Sequence, residues 1–257
     1  MAAAPGSGIL SPMANDEPIV RWGLIGCGDI AAKRVAMALR DAPGSRLVAV
    51  SRRQADRAAE CARRFGASRW HASWEDLIRS EVDAVYIATP VALHARMAIA
   101  AAEAGKHVLC EKPMAKDVEE CDGMVRAAEA NGVKLGVAYY RRFYPVVRRL
   151  KQLLREGAIG APVMAQADVF GAFDPGPDHP RRWIVEKDQS GGGPMFDVGS
   201  HRLEMFLSLF GAVAEVRGVA ARVALSRDVE DTAVAALRFE QGYRFDHHVV
   251  ALITFGR

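Results

Sequence analysis

Short apolar segments that alternate with helical patterns are the feature that most constrains how this chain of 257 residues folds. Six segments between residues 19 and 139 are predicted strands: 20–25, 47–50, 69–71, 84–88, 107–110 and 134–138. The stretches between them carry apolar residues at helical spacing, as at Ala58, Ala62 and Phe65 before Gly66. Strands alternating with helices favour a parallel sheet covered by helices, and six of them match the doubly wound Rossmann inventory.

The pattern changes after Tyr140. A helical segment ending near Gly157 is followed by a predicted strand at 162–170, a loop rich in proline and glycine, and a glycine-rich turn that leads into another helix. Three further strands are predicted at 216–220, 232–239 and 249–255. We therefore predict an α/β Rossmann domain at 19–139 and a second, α+β domain at 140–257 for substrate binding and oligomerisation. Residues 1–18 lack the features of a signal peptide and are predicted to be a disordered leader.

Composition narrows the class of protein. Apolar residues make up 50% and charged residues 25%, and the net charge of +3 comes from 34 basic and 31 acidic residues spread along the chain. This spread does not favour a nucleic-acid partner, and no segment is long and apolar enough to predict a membrane span. The four cysteines lack CxxC or metal-ligand spacing, which predicts reduced thiols in a cytoplasmic protein. We expect no metal site.

A glycine-rich loop follows the first predicted strand in VRWGLIGCGDIA. Gly26, Gly28 and Ala31 have the G-x-G-x-x-A spacing. The first glycine permits a tight turn, the second permits close approach of a pyrophosphate, and the small third residue lets the helix pack on the strand. Flavin and S-adenosylmethionine sites share this spacing, but its place in the first βαβ unit favours a dinucleotide.

The end of the second predicted strand bears on the choice of cofactor. Ser51 lies 25 residues after Gly26, near where an acidic residue would bind the ribose of NAD. The chain has Arg52 and Arg53 next, and no acid before Asp56. Arginine pairs well with phosphate oxygens, so NADP is favoured over NAD. A solvated turn is the alternative interpretation of the two arginines.

Polar residues follow the fourth and fifth predicted strands. Thr89 and Pro90 end one of them, and His94 lies in the first turn of the next helix, where it is either a cofactor neighbour or a capping histidine. The segment HVLCEKPMAK places Lys112 at the carboxyl edge of the sheet, where ligands bind. Pro113 restricts the backbone of Lys112 to extended geometry, so the direction of the amine is constrained.

Asp197 and His201 lie four residues apart in GGGPMFDVGSH. On a helix both side chains would point the same way, and a carboxylate beside an imidazole can set its tautomer for proton transfer. A helix-start aspartate with an exposed histidine is the alternative.

Five segments, taken in chain order, resemble the glucose–fructose oxidoreductase/inositol dehydrogenase/MocA family. They are GCGDIA, the strand end Ala88-Thr89-Pro90 with His94, HVLCEKPMA, RRFYP and SGGGPMFDVGSH, over about residues 20 to 242. The EKP and glycine-rich segments are the most specific. The resemblance implies a Rossmann domain, a second domain with an open, mainly antiparallel sheet, and an active site between them.

The resemblance also implies roles for individual residues. Lys112, Asp197 and His201 would be catalytic. Asp197 would orient His201, and either Lys112 or His201 would be the acid/base. Arg142 of RRFYP and Trp183 would lie beside the substrate. The cofactor, NADP or NAD, would contact Gly26, Gly28, Asp29, Ile30, Ser51, Arg52, Thr89, Pro90, His94 and Glu111.

The implied reaction is hydride transfer between nicotinamide and a carbinol carbon of a sugar, cyclitol or related polyol. The last segment, YRFDHHVVALITFGR, matches the family poorly, and relatives usually run many tens of residues further. We therefore expect a shortened second domain with an incomplete sheet, which puts the expected homo-oligomer in question. A non-catalytic NADP-binding protein with an interaction or regulatory role is the alternative function. An S-adenosylmethionine methyltransferase would not account for EKP.

Overall fold

A computed structural model describes residues 18–240 and 249–256. The predicted leader, apart from Pro18, lies outside the described residues, as does part of the last segment. A parallel sheet with strand order β3-β2-β1-β4-β5-β6 occupies the N-terminal half, which confirms the predicted Rossmann topology. Its strands are β1 (Val20–Ile25), β2 (Ser45–Ser51), β3 (Arg69–His71), β4 (Ala84–Ile87), β5 (His107–Cys110) and β6 (Leu135–Val137).

Helices cover both faces of this sheet, and in the described part of the chain no helix is long and apolar enough to span a membrane. The α-helices are α1 (Ala36–Asp41), α2 (Ala55–Phe65), α3 (Trp74–Arg79), α4 (His94–Glu103), α5 (Val118–Ala130), α6 (Pro145–Glu156), α7 (Lys187–Ser190) and α8 (Ser200–Phe210). Local chemistry explains several ends. Asp117 accepts a bond from Glu120 N at 2.8 Å to start α5, and Gly66 ends α2 in the left-handed conformation.

The second sheet has the order β7-β10-β9-β8. Its strands are β7 (Met164–Phe170), β8 (Val213–Ala221), β9 (Thr232–Phe239) and β10 (Val250–Gly256). Two of its pairings are antiparallel and β10 runs parallel to β7, so the predicted mainly antiparallel sheet is confirmed. The apolar side chains of α8 pack on one face of it, as at Phe206 and Phe210 against Phe239.

Neighbouring residues of a strand pack on opposite faces of the Rossmann sheet. Leu24 is buried with Val50 on one face of the sheet, and Ile25 is buried with Ile87 on the other, as the period of two in a strand requires. Both faces are covered, so the strands are almost continuously apolar. The polar loops that follow the strands lie at the carboxyl edge of the sheet.

The structure joins Cys27 and Cys61 in a disulfide, with their Cα atoms 6.6 Å apart. The prediction of reduced thiols is therefore wrong for this pair, while Cys110 and Cys121 are free. Cys27 lies inside the glycine-rich loop and Cys61 lies in α2, so the bond ties the loop to that helix. The cysteines are separated by 34 positions in the sequence, and no local signal indicates this pairing.

Candidate active site

The glycine-rich loop has the geometry of a dinucleotide site. Gly26 has φ +90°, and a Cβ there would lie 2.5 Å from the Ala88 carbonyl oxygen, so only glycine fits. Gly28 is exposed, and apart from its chain neighbours none of the described residues comes within 4 Å of where its Cβ would be. Asp29 and Ile30, also exposed, begin the helical segment that follows, whose first N–H groups lack intrahelical acceptors. These open amides fit the pyrophosphate of a dinucleotide.

Ser51 and Arg52 lie beside this loop. Ser51 is buried at the end of β2, and its carbonyl accepts a bond from Gly26 N at 3.0 Å. The Arg52 guanidinium donates to the Cys27 carbonyl at 2.8 Å. The predicted cofactor arginine therefore also holds the loop in place, and Arg53 beside it is exposed.

His94 braces two loops at the carboxyl edge. Its side chain is buried, with Nε2 2.9 Å from the Thr89 carbonyl oxygen and Nδ1 3.0 Å from that of Pro113. Burial lowers the pKa of His94, and bonds to the two carbonyls oppose that effect. Both ring nitrogens are occupied, so His94 positions the Thr89-Pro90 turn rather than presenting a free polar edge.

Glu111 is also held from two sides. The buried Tyr86 hydroxyl donates to Glu111 Oε1 at 2.8 Å, and Lys112 N donates to Oε2 at 3.2 Å. Burial, followed by the Glu111 charge, raises the pKa of Tyr86 far above its usual range. The carboxylate thus orients the backbone that carries Lys112, whose peptide bond to Pro113 is cis.

Lys112 joins the two halves of the molecule. Its ammonium donates to Asp197 Oδ1 at 2.5 Å and to the Asp197 carbonyl at 2.9 Å, across 85 residues of sequence. The side chains are 12% and 29% exposed, so the pair lies mostly out of water. Because both bonds converge on one ammonium group, the position of its nitrogen is closely constrained.

Asp197 lies in a π-helical segment, Met195–Gly199, just before α8. Such segments often occur at functional sites. Glu230 supports the start of this segment by accepting bonds from Gly193 N at 2.7 Å and Met195 N at 3.1 Å. A Cβ on Gly193 would collide with the Glu230 carbonyl oxygen. Sequence reasoning missed Glu230, because only the folded second domain brings it to the segment around Gly193.

His201 is a buried neutral imidazole beside the lysine. It is 4% exposed, it lies edge-on to the rings of Tyr139 and Tyr140, and its Nδ1 has no partner among the described residues. Burial lowers the pKa of His201 to about 4, and the positive charges of Lys112 and Arg141 add to this effect.

The bond pattern around Asp197 differs from the sequence prediction. In the described residues the Asp197 carboxylate bonds to Lys112 rather than orienting His201. The π-helical turn changes the side-chain period from that of a regular α-helix, so spacing by four did not bring the pair into contact. Asp197 still acts on His201 through its charge, which raises the pKa of that imidazole.

The arginine beside His201 is Arg141. Its Nε is buried with no partner in the described residues, and its charge lowers the pKa of His201. Arg142, the arginine named from the sequence, is exposed and pairs with Glu204 of α8 at 3.1 Å. The RRFYP segment signalled an arginine here, but spacing alone did not distinguish two neighbours.

A cavity of about 260 Å³ adjoins Asp197 on the second domain. Phe173, Arg181, Val185, Gly193 and Arg227 are among its other lining residues. Trp183, predicted beside the substrate, lies in the same helical turn as Val185 but does not line this cavity.

Comparison with known proteins gives matches along the chain. Residues 20–139 match the NAD-binding Rossmann domain of the GFO/IDH/MocA oxidoreductases, and residues 147–256 match a C-terminal domain of the same family. The match thus continues past residue 242, where the resemblance was expected to end.

Two curated relatives and one solved structure illustrate the similarity. Oxidoreductase P35 of Formosa agariphila is 34% identical over 78% of this chain and 64% of its own length. The 1,5-anhydro-D-fructose reductase of Ensifer adhaerens is 36% identical over 89% of this chain and 68% of its own. The WlbA dehydrogenase of Bordetella pertussis, solved with NADH and UDP-GlcNAcA, superposes with a TM-score of 0.82 at 30% identity, covering 93% of this chain and 67% of that one. The chain thus spans about two thirds of the length of these relatives.

Proposed function

The chain belongs to the GFO/IDH/MocA oxidoreductase family, and we propose that it is an NAD(P)-dependent dehydrogenase or reductase acting on CH–OH groups. Its substrate would be a sugar, a cyclitol or a related polyol. The observation that carries this proposal is the bond between Lys112 and Asp197, which joins the carboxyl edge of the Rossmann sheet to the second domain beside the buried His201. Relatives named as a 1,5-anhydro-D-fructose reductase and a levoglucosan dehydrogenase support this substrate class.

Bound NAD(P) would supply a hydride acceptor or donor at its nicotinamide ring. In alcohol oxidation, the Lys112 ammonium donates a hydrogen bond to the reacting oxygen and stabilises the negative charge that develops there. Asp197 holds the ammonium in place. The buried Nδ1 of the neutral His201 has no partner among the described residues, so this nitrogen can accept the hydroxyl proton.

We also propose that the cofactor is NADP. Arg52 and Arg53 follow β2, and the first acid after them, Asp56, already lies in α2. A 2′-phosphate would then meet arginine rather than a carboxylate. Residues 19–139 would hold the dinucleotide and residues 140–257 would cover the substrate.

Lys112→Met tests the catalytic proposal, because methionine keeps much of the lysine's length and removes its charge. We expect turnover on the best polyol substrate to fall by at least about a hundredfold, while the affinity for NADPH changes little. Lys134→Met is the matched control. Lys134 is an exposed lysine that directly precedes β6, so it lies at the amino ends of the strands, whereas Lys112 lies at their carboxyl ends.

Near-normal turnover in Lys112→Met would refute the role of this lysine. Saturable NADPH binding with no turnover of any sugar, cyclitol or dihydrodiol would instead favour the non-catalytic alternative.

A further inference from the structure

The cavity beside Asp197 is lined by charged side chains of both signs. Four charged residues line it: Asp197, Asp231, Arg181 and Arg227. Among the described residues, neither arginine has a carboxylate within ion-pair distance. The two aspartates of the cavity therefore do not form ion pairs with its two arginines.

Both aspartates are already satisfied. The Asp197 carboxylate is bonded to the Lys112 ammonium. Asp231 is 3% exposed, and it accepts bonds from the backbone N–H groups of residues 223, 224 and 225 at 2.8–3.0 Å, and from the Thr232 hydroxyl at 2.9 Å. Among the described residues, neither carboxylate is therefore bonded to an arginine of the cavity.

The two arginines converge on Phe173. The Arg181 guanidinium lies over the Phe173 ring, 5.0 Å from its centroid, and Arg227 Nη1 donates to the Phe173 carbonyl at 2.8 Å. Arg227 Nε is buried and has no partner among the described residues. Arg181 is exposed and Arg227 is half-buried where they line the cavity, so their remaining N–H donors are available to an anion bound there.

We propose that the substrate of this site is an anionic polyol, a small sugar acid or sugar phosphate whose anionic group is bound by Arg181 and Arg227. Guanidinium groups pair with carboxylate and phosphate oxygens through strong, charge-assisted bonds. The volume of about 260 Å³ is below the usual range for drug-sized ligands, which suits one small sugar unit. This inference rests on the proposed function, because the cavity is lined by Asp197, whose carboxylate holds the Lys112 ammonium.

The test uses the full chain with D-glucose, D-gluconate and D-glucose 6-phosphate, at constant low ionic strength. Thermal stabilisation measures binding without turnover, and NADP reduction measures KM and kcat. We expect one of the two acids to have a KM at least about tenfold below that of D-glucose. D-gluconate and D-glucose 6-phosphate distinguish a carboxylate from a phosphate as the group that is bound.

Arg181→Met and Arg227→Met should each remove that preference by raising the KM for the acid. Arg217→Met is the matched control, because the Arg217 side chain is 84% exposed on β8 and does not line the cavity. Arg181→Met is the decisive variant, since Arg227 also bonds to the Phe173 carbonyl and its removal disturbs the loop.

The outcomes separate this inference from the proposed function. Equal KM values for acid and neutral sugar, or a preference that survives Arg181→Met, overturn the inference and leave the oxidoreductase proposal standing. Stabilisation by an acid that is lost in Arg181→Met, with no turnover of any compound, supports the anion site and refutes the oxidoreductase proposal. If no compound either stabilises the protein or is turned over, both proposals are refuted.

Discussion

The protonation of His201 gives a quantitative test of the site. The structure lowers the pKa of His201 from 6.5 to about 4, first through burial and then through the charge of Lys112. In the unfolded chain the imidazole returns to its ordinary value, so the unfolded state takes up the proton first as the pH falls. This contribution therefore destabilises the fold progressively between about pH 6.5 and pH 4. The difference between a pKa of 6.5 in the unfolded chain and about 4 in the folded one lowers the free energy of unfolding by about 2 kcal/mol by pH 5.

Two measurements check this value. Proton–carbon NMR of the imidazole Cε1–H should show that His201 titrates near pH 4. Urea unfolding at pH 7 and pH 5 should show a smaller loss of stability in His201→Asn than in the wild type, by about 2 kcal/mol. The comparison with the variant is needed because burial also lowers the pKa of His94.

Lys112→Met provides the second half of the test. Removing the neighbouring positive charge should raise the NMR midpoint of His201 toward 6.5, whereas Lys134→Met should leave it unchanged. A wild-type midpoint near 6.5 would refute the assignment of a buried neutral imidazole. An unchanged midpoint in Lys112→Met would refute its electrostatic contact with the lysine.

Three further perturbations follow from the geometry. Gly26→Ala places a Cβ against the Ala88 carbonyl in a left-handed backbone, so unfolding free energy should fall by at least about 1–2 kcal/mol and fluorescence titration should show weaker NADPH binding. A variant with wild-type affinity would contradict the tight-turn argument. Asp231→Ala leaves three backbone N–H groups of residues 223–225 unpaired, so thermal and urea unfolding should report a loss of about 2–4 kcal/mol. Burial alone would raise the pKa of Asp231, but those bonds lower it, so wild-type stability should fall as the pH drops below about 3.8 while Asp231→Ala lacks this component. Arg52→Ala should weaken NADPH binding more than NADH binding, and equal losses in parallel titrations would count against NADP as the cofactor.

Local sequence signals were sufficient for the Rossmann half. Strands β1 and β5 have the predicted bounds, because each is a short, mainly apolar run beside polar or glycine residues. Strand β3 also has the predicted bounds, although Trp70 is its one apolar residue. The order of strands then places Lys112 at the carboxyl edge, since every parallel strand ends there. Gly26 and Gly28 were recognisable for the same reason, because a tight turn and a close approach each demand a residue without a side chain.

Contacts between distant segments were not predictable from the sequence. Lys112 meets Asp197 across 85 residues, and this contact depends on how the second domain packs against the first. Glu230 meets Gly193 across 37 residues inside the second domain, so that contact depends on the fold of the second domain itself. Whether Arg141 or Arg142 approaches His201 depends on the direction of one short helical turn.

The sequence by itself determined the elements, the glycine-rich turn and the edge of the sheet that carries Lys112, because these follow from local hydrophobic patterns and backbone freedom. Only the tertiary structure decided that Asp197 bonds to the lysine rather than to His201, that Cys27 joins Cys61, and that Arg181 and Arg227 line one cavity with no ion-pair partner among the described residues. Ion pairs, disulfides and pKa values depend on distances between side chains, and residues far apart in sequence acquire those distances only when the chain folds. For Cys27 and Cys61, and for the cavity arginines, this happens within one domain, whereas Lys112 and Asp197 meet only when the two domains pack together.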